Sequence, residues 1–219
     1  MIALADYDAP TRSASGFIIR HILPRTGPPQ LIGPLDRKGP FAMLTFGDLI
    51  LGMGHGDSDI FTGQNEVILL EVGKYDPKLV EGRFIKLLSC ETGQELGQDL
   101  INNGATGFQG YTEEFLWIMD LDYILIPWSD PMAGKALLPV IRSMQLILDG
   151  KTNQEAFQAE IDGFTINIEK EEDELLKSCL EFDRDNAVML GDPGAQVRAR
   201  PKISFPIPPP PLLPLLRGV

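Results

Sequence analysis

With 219 residues, 43% of them hydrophobic and 23% charged, the chain suits a single soluble globular domain with a real core, at most carrying a tail. A net charge of −12 argues against nucleic acid or an anionic membrane as the main partner, since both are polyanions, and favours basic peptides. Two cysteines, Cys90 and Cys179, cannot build a disulfide scaffold, and no run reaches the ~18 apolar residues of a membrane span. These features predict a reducing, cytoplasmic setting. The start MIALADYDAP lacks a basic region followed by a long apolar run, so no signal peptide is expected.

In chain order, Ile2 to Leu4 predicts a first strand that ends at Asp6, Tyr7 and Asp8. Thr11 or Ser13 is placed to cap a helix carrying Phe17, Ile18, His21 and Ile22 on one face, stopped by Pro24. Gln30 to Ile32 reads as a second strand between proline-rich flanks, and Phe41 to Phe46 as a brief helix. An apolar strand through Leu49, Ile50 and Leu51 follows, then a polar loop over Asp57, Ser58 and Asp59. Next come a strand over Glu66 to Val72, a helical turn over Pro77 to Glu81, and a strand through Phe84, Ile85, Leu87 and Leu88. Glu95 to Asn102 predicts a helix ended by Asn103-Gly104, and Phe108 to Tyr111 a strand. Thr112 to Asp130 forms an acidic aromatic loop. Met132 to Leu148 has strong helical periodicity, with Met132, Met144 and Leu146 inward. Thr152 or Asn153 caps another helix, and Ile168 to Leu180 predicts a further charged one, with Glu169 to Glu174 as its exposed face and Cys179 structural. Ala187 to Leu190 closes the sheet. This alternation of strand and helix is the pattern of a mostly parallel α/β sheet.

Two strands stop on reactive residues. The first leads into LGMGHGDSD and delivers His55 between Gly54 and Gly56; the second, RFIKLLSCETG, delivers Ser89 and Cys90. As neighbouring parallel strands they would set an imidazole beside a thiol at their carboxyl ends, where open α/β sheets bind ligands. That pairing suits a cysteine nucleophile: the imidazole takes the thiol proton and the thiolate attacks a carbonyl. The start of the following helix is expected to lower the Cys90 pKa. Gly56, with no side chain to crowd a carbonyl, can join the Cys90 amide in an oxyanion hole. His55 with Asp57 and Asp59 lacks the spacing of a metal site, and the glycines of Gly52 to Gly56 lack the Lys-Ser/Thr pair of a phosphate loop. No metal or cofactor is called for, and a regulatory calcium ion, though compatible, has no signature here.

A strand ending in His-Gly and a later one ending in a small residue plus Cys resemble the caspase-like cysteine peptidases, which include caspases, legumains, clostripain, gingipains and CHAT domains. Leu87 to Gly93 is similar to the CHAT nucleophile segment, except that Ser89 stands where Ala is usual. Asn103 to Gly110, Leu148 to Lys151 with Glu155 and Ala156, and Leu190 to Pro193 resemble later segments of CHAT and gingipain-like domains. The resemblance runs from about Leu49 to Pro193. It implies a three-layer α/β/α sandwich with a mostly parallel central sheet over residues 1–197, and a His55–Cys90 cysteine endopeptidase with Gly56 and Cys90 as oxyanion hole. In such proteins a backbone carbonyl often orients the histidine; the sequence alone does not name that third group.

Relatives that cut after Arg or Lys use carboxylates, and those that cut after Asp use arginines. Asp57, Glu113, Glu114 and Asp120 lie in the loops expected to flank the cleft, with Asp59 and Asp122, so a basic residue before the cut is the favoured substrate. Taken singly, each is equally a solvated residue of an acidic protein. Residues 198–219, with four consecutive prolines in SFPIPPPPLLPLL, read as a polyproline II tail able to engage a protein partner. The rival reading from another class is a catalytically inactive caspase-like scaffold or adaptor, in which Cys90 does not react.

Overall fold

The computed structural model describes residues 2–4, 8–26 and 48–197. Its strands, in chain order, are β1 (Ile2–Leu4), β2 (Leu49–Met53), β3 (Gly56–Asp57), β4 (Ile60–Thr62), β5 (Ile68–Glu71), β6 (Phe84–Leu88), β7 (Gly107–Tyr111) and β8 (Ala187–Gly191). Five form a sheet in the order β1-β2-β6-β7-β8, parallel except for β8, which runs antiparallel to β7. The central strands are buried along their whole length, as expected of parallel strands covered on both faces. Alternate side chains feed two cores. Leu49, Leu51, Met53, Phe84, Leu88 and Tyr111 enter the first, and Ile50, Ile85, Leu87 and Phe108 the second.

Helices α1 (Ala9–His21), α4 (Pro131–Leu148), α5 (Asn153–Lys170) and α6 (Glu174–Asn186) cover the first face; the four-residue α2 (Leu23–Thr26) follows α1. Across the sheet lie α3 (Glu95–Asn102) and a small antiparallel sheet, β3-β4-β5. The expected three layers with a mostly parallel sheet are therefore present. Among the described residues no helix is long and apolar enough to cross a membrane.

Local differences from expectation have simple causes. Helix α1 is capped by Asp8, not Thr11 or Ser13: Asp8 Oδ1 accepts from the Thr11 amide at 2.8 Å, and Thr11 answers as the other half of a capping box. Pro24 does not simply end the chain's first helix, because it sits at the second position of α2, in the first turn where proline is tolerated. The polar loop after His55 is a hairpin, since β3 pairs with β4. The helix read over Ile168 to Leu180 is two: α5 ends at Lys170 and Asp173 caps α6, accepting from the Leu175 and Leu176 amides at 3.0 and 2.9 Å. Glu169 to Glu174 thus spans a helix junction instead of one exposed face, and Glu171 there pairs with Lys135 at 2.5 Å. Met144 is buried, whereas Met132 and Leu146 are only partly so. The strand at 30–32, the helix at 41–46 and the tail from 198 lie outside the described residues.

A polar layer sits inside the first core. Lys86, at the centre of β6, is 1% exposed and pairs with Glu160 of α5. Its Nζ also donates to Gln109 Oε1 at 2.9 Å, Ser143 Oγ donates to the same oxygen at 2.9 Å, and Tyr111 donates to Glu160 Oε1 at 2.5 Å. Asp183 of α6 is fully buried nearby. Desolvation, and then the charge of Glu160, push its pKa up to about 8, although the Leu116 amide favours the charged form.

Two outcomes follow for stability. Glu160→Leu leaves Lys86 buried without its counter-ion and should cost about 3–5 kcal/mol, with Lys86→Met in the same chain recovering part of it, read from urea midpoints at constant m. Asp183 binds its proton more tightly when folded, so this group's contribution to stability falls as pH rises from about 4 towards 8. Asp183→Asn should remove a slope of at most about 1.4 kcal/mol per pH unit in that window, measured by unfolding at pH 5, 7 and 9.

Candidate active site

Strands β2 and β6 pair in parallel with Met53 opposite Leu88, and the ladder continues through the Gly54 amide to the Leu88 carbonyl at 3.3 Å. His55 and Cys90 each come two residues beyond that last matched pair, so the register brings both to the same sheet edge. Gly56 packs directly on the Cys90 turn. A Cβ built on it would lie 2.3 Å from Ser89 Oγ, 2.6 Å from Thr92 Cγ2 and 2.7 Å from the Cys90 carbonyl oxygen. Only glycine allows that approach.

The turn carrying Cys90 is tight. Glu91 has φ 55°, the left-handed region that non-glycine residues rarely occupy, and the Thr92 amide reaches back to the Cys90 carbonyl at 2.6 Å. The Glu91 amide donates to the Glu113 carbonyl at 3.0 Å, which ties the loop after β7 to the turn. The Leu96 amide donates to the Ser58 carbonyl at 2.8 Å, so the β3–β4 hairpin is pinned to the start of α3.

His55 has a carboxylate partner. Its Nε2 lies 2.7 Å from Asp8 Oδ2, both side chains being part-buried. Asp8 thus caps α1 with one oxygen and holds the imidazole with the other. Burial opposes its charge, but the Thr11 hydroxyl, the His55 ring and the Thr11 amide outweigh burial and lower its pKa below the usual value. With Asp8 ionised, Nε2–H is the donor, which assigns Nδ1 as the basic nitrogen of the neutral ring.

Cys90 does not have the lowered pKa expected from the helix that follows. Burial pushes the thiol up; Glu114 and Glu91 push the same way, against the Phe115 N–H that faces the sulfur and Cys90's own amide. The reason is positional, because α3 starts only at Glu95, beyond the turn. Of the carboxylates singled out by sequence, Asp57, Glu113 and Glu114 surround Glu91, whose pKa is raised by partial desolvation and then by these three. Asp120 caps the short turn at Leu121–Tyr123: its side chain accepts from the Asp122 amide at 3.0 Å, and its own amide donates to Asp130 Oδ2 at 2.8 Å.

No family model matches the sequence, and no curated protein matches it significantly. Among solved structures, the complex of the pro- and mature domains of Porphyromonas gingivalis RgpB aligns over 90% of this chain with a TM-score of 0.53 and 15% identity. The crystal structure of gingipain R, an Arg-specific cysteine proteinase, aligns over 90% with a TM-score of 0.50 and 14% identity. The chain has the caspase-like fold. It spans about half the length of those chains, 48% and 46%. The likeness is to gingipains; similarity to CHAT segments rests on the residues alone.

Sequence reasoning missed Asp8, Glu91 and the Phe115 amide. Asp8 was legible only as the end of a strand; the cap signature that could have found it is Asp followed three residues later by Thr, before an apolar face. Gly56→Ala should lower stability by about 1–3 kcal/mol, because the Cys90 carbonyl cannot move aside as a flexible side chain can. Thermal or urea unfolding reads this directly; a loss below about 0.5 kcal/mol would mean the two segments are not in such contact.

Proposed function

We propose that this chain is a cysteine endopeptidase in which Cys90 is the nucleophile, His55 the general base and Asp8 the residue that orients His55. The observation that carries the reading is the β2–β6 register, with Gly56 packed on the Cys90 carbonyl. The raised thiol pKa makes the resting group neutral, so the proton leaves during attack and not before it. The Cys90 proton passes to His55 Nδ1 as the S–C bond forms, and the oxyanion rests on the Gly56 and Cys90 amides. Collapse breaks the C–N bond with the imidazolium proton going to the leaving amine, and water then hydrolyses the acyl-thioester.

Glu91 and Glu114 beside the thiol, with Asp57 and Glu113 acting on Glu91, support a basic residue, Arg or Lys, on the acyl side of the cut. Two free cysteines suit a reducing compartment such as the cytoplasm. The proline-rich residues 198–219 fit a partner with an aromatic-lined groove. One observation favours the second reading, a non-catalytic scaffold: a thiol pushed up by burial and two carboxylates is poorly placed to react.

Labelling with an Arg-directed peptidyl acyloxymethyl ketone, read by intact mass, separates the two. The enzyme reading expects one adduct on Cys90, none on Cys90→Ala, at least a hundredfold slower labelling of His55→Ala, and roughly tenfold slower labelling of Asp8→Ala. Absence of any adduct with Arg, Lys, Asp or Asn probes, with calcium or after a trypsin nick, would establish the scaffold instead.

A further inference from the structure

We propose that Asp183 is a positioning residue for Cys90, acting from inside the core through the loop that follows β7. The inference rests on Cys90 being the reactive group proposed above. The loop touches the nucleophile turn from its backbone: the Glu113 carbonyl accepts the Glu91 amide at 3.0 Å, and the Phe115 N–H faces the Cys90 sulfur. The next amide, that of Leu116, donates to Asp183 Oδ1 at 2.8 Å. Asp183 is 0% exposed, and among the described residues its second oxygen, Oδ2, has no hydrogen-bond partner. A fully buried carboxyl group with one oxygen unmatched costs stability, so its presence calls for a local benefit.

The benefit lies in where Phe115 is held. Its ring packs between Tyr111, at a centroid distance of 4.7 Å, and Trp117, at 5.5 Å. Ring packing fixes the position of the side chain but leaves the peptide plane free to tilt. The Leu116 bond to Asp183 anchors the segment after Phe115, as the Glu113 carbonyl bonded to the Glu91 amide anchors it before, so the peptide carrying the Phe115 N–H is held from both sides. An N–H aimed at sulfur stabilises thiolate over thiol and is the main influence working against burial at Cys90. Asp183 therefore acts on the thiol without touching it. The groups facing Asp183 are Glu160 of α5, which raises its pKa, and Tyr111 of β7 and Cys179 of its own helix, both of whose pKa values it raises.

The test is the rate of alkylation of Cys90 by iodoacetamide between pH 6 and 10, followed by peptide mass mapping so that Cys179 is read separately. It needs no peptidase activity, so it fails or succeeds independently of the enzyme reading. Asp183→Asn keeps an oxygen for the Leu116 amide and should leave the Cys90 profile within twofold. Asp183→Ala removes the acceptor and should slow Cys90 alkylation at pH 7.5 by about three- to tenfold, with its titration displaced upward. Cys179, which senses Asp183 once that carboxyl ionises above about pH 8, should alkylate faster in that range in both variants and so reports that the substitution acted. If the alanine variant fails to fold, Asp183→Ser, whose hydroxyl is too short to reach Leu116, carries the same expectation. Wild-type Cys90 kinetics in the alanine or serine variant, or equal slowing in the asparagine variant, overturns the proposal.

Discussion

The site depends on one ladder, the parallel pairing of β2 with β6. Because side chains alternate along a strand, a slip of one residue would turn Leu49, Leu51 and Met53 out of one core and into the other. The two hydrophobic faces therefore fix the register, and the register fixes that His55 and Cys90 leave the sheet side by side. The same logic explains Gly52 and Gly54. A Cβ on Gly52 would lie 2.6 Å from Leu87, and one on Gly54 2.1 Å from the Thr62 carbonyl, so the strand end stays in close contact with both neighbours.

Asp8 couples this edge to the first helix. One carboxylate oxygen satisfies the Thr11 amide in the first turn of α1, and the other takes the imidazole N–H. The helix start and the histidine orientation therefore share a single ionisation. Around the thiol the electrostatics run the other way: Glu91 and Glu114 raise the Cys90 pKa, and they belong to the cluster that would attract a cationic side chain. On the proposed reading, a bound Arg or Lys would offset those charges and ease thiolate formation when substrate is present.

The sheet, the α3 span and the placement of His55 and Cys90 just beyond strand ends were legible because each follows from a local pattern: apolar runs of strand length, a helical face closed by Asn103-Gly104, and an apolar run that stops at glycine or a small polar residue. Non-local features were not. Asp8 lies 47 positions from His55, and nothing in its own neighbourhood marks it as an imidazole partner. The Cys90 pKa departs from the expectation because the distance from Cys90 to the helix start is set by a turn whose left-handed Glu91 no composition rule signals. Lys86 was passed over inside FIKLL because a lone charge in an apolar strand has meaning only once Glu160, 74 positions away, is seen to meet it. The helix junction at 171–173 was hidden by the same acidic residues that create it, since Asp173 reads equally as helix surface or as cap.

The buried polar layer joins these parts. Gln109 bridges β6, through Lys86, to the start of α5, donating to the Asn153 carbonyl and side-chain oxygens at 3.0 Å each. Asn153 in turn donates to the Leu190 and Asp192 carbonyls at the end of β8, 3.1 and 3.2 Å away. Hydrophobic contacts would tolerate a small slide of α5 along the sheet; this chain of directional bonds would not, because each slide leaves a buried donor or acceptor unmatched at about 1–3 kcal/mol. A layer of this kind adds little net stability against an apolar core of the same volume. What it supplies is one allowed placement of β7 against α5 and α6, and hence one origin for the loop that runs from Tyr111 past Cys90 to Leu116.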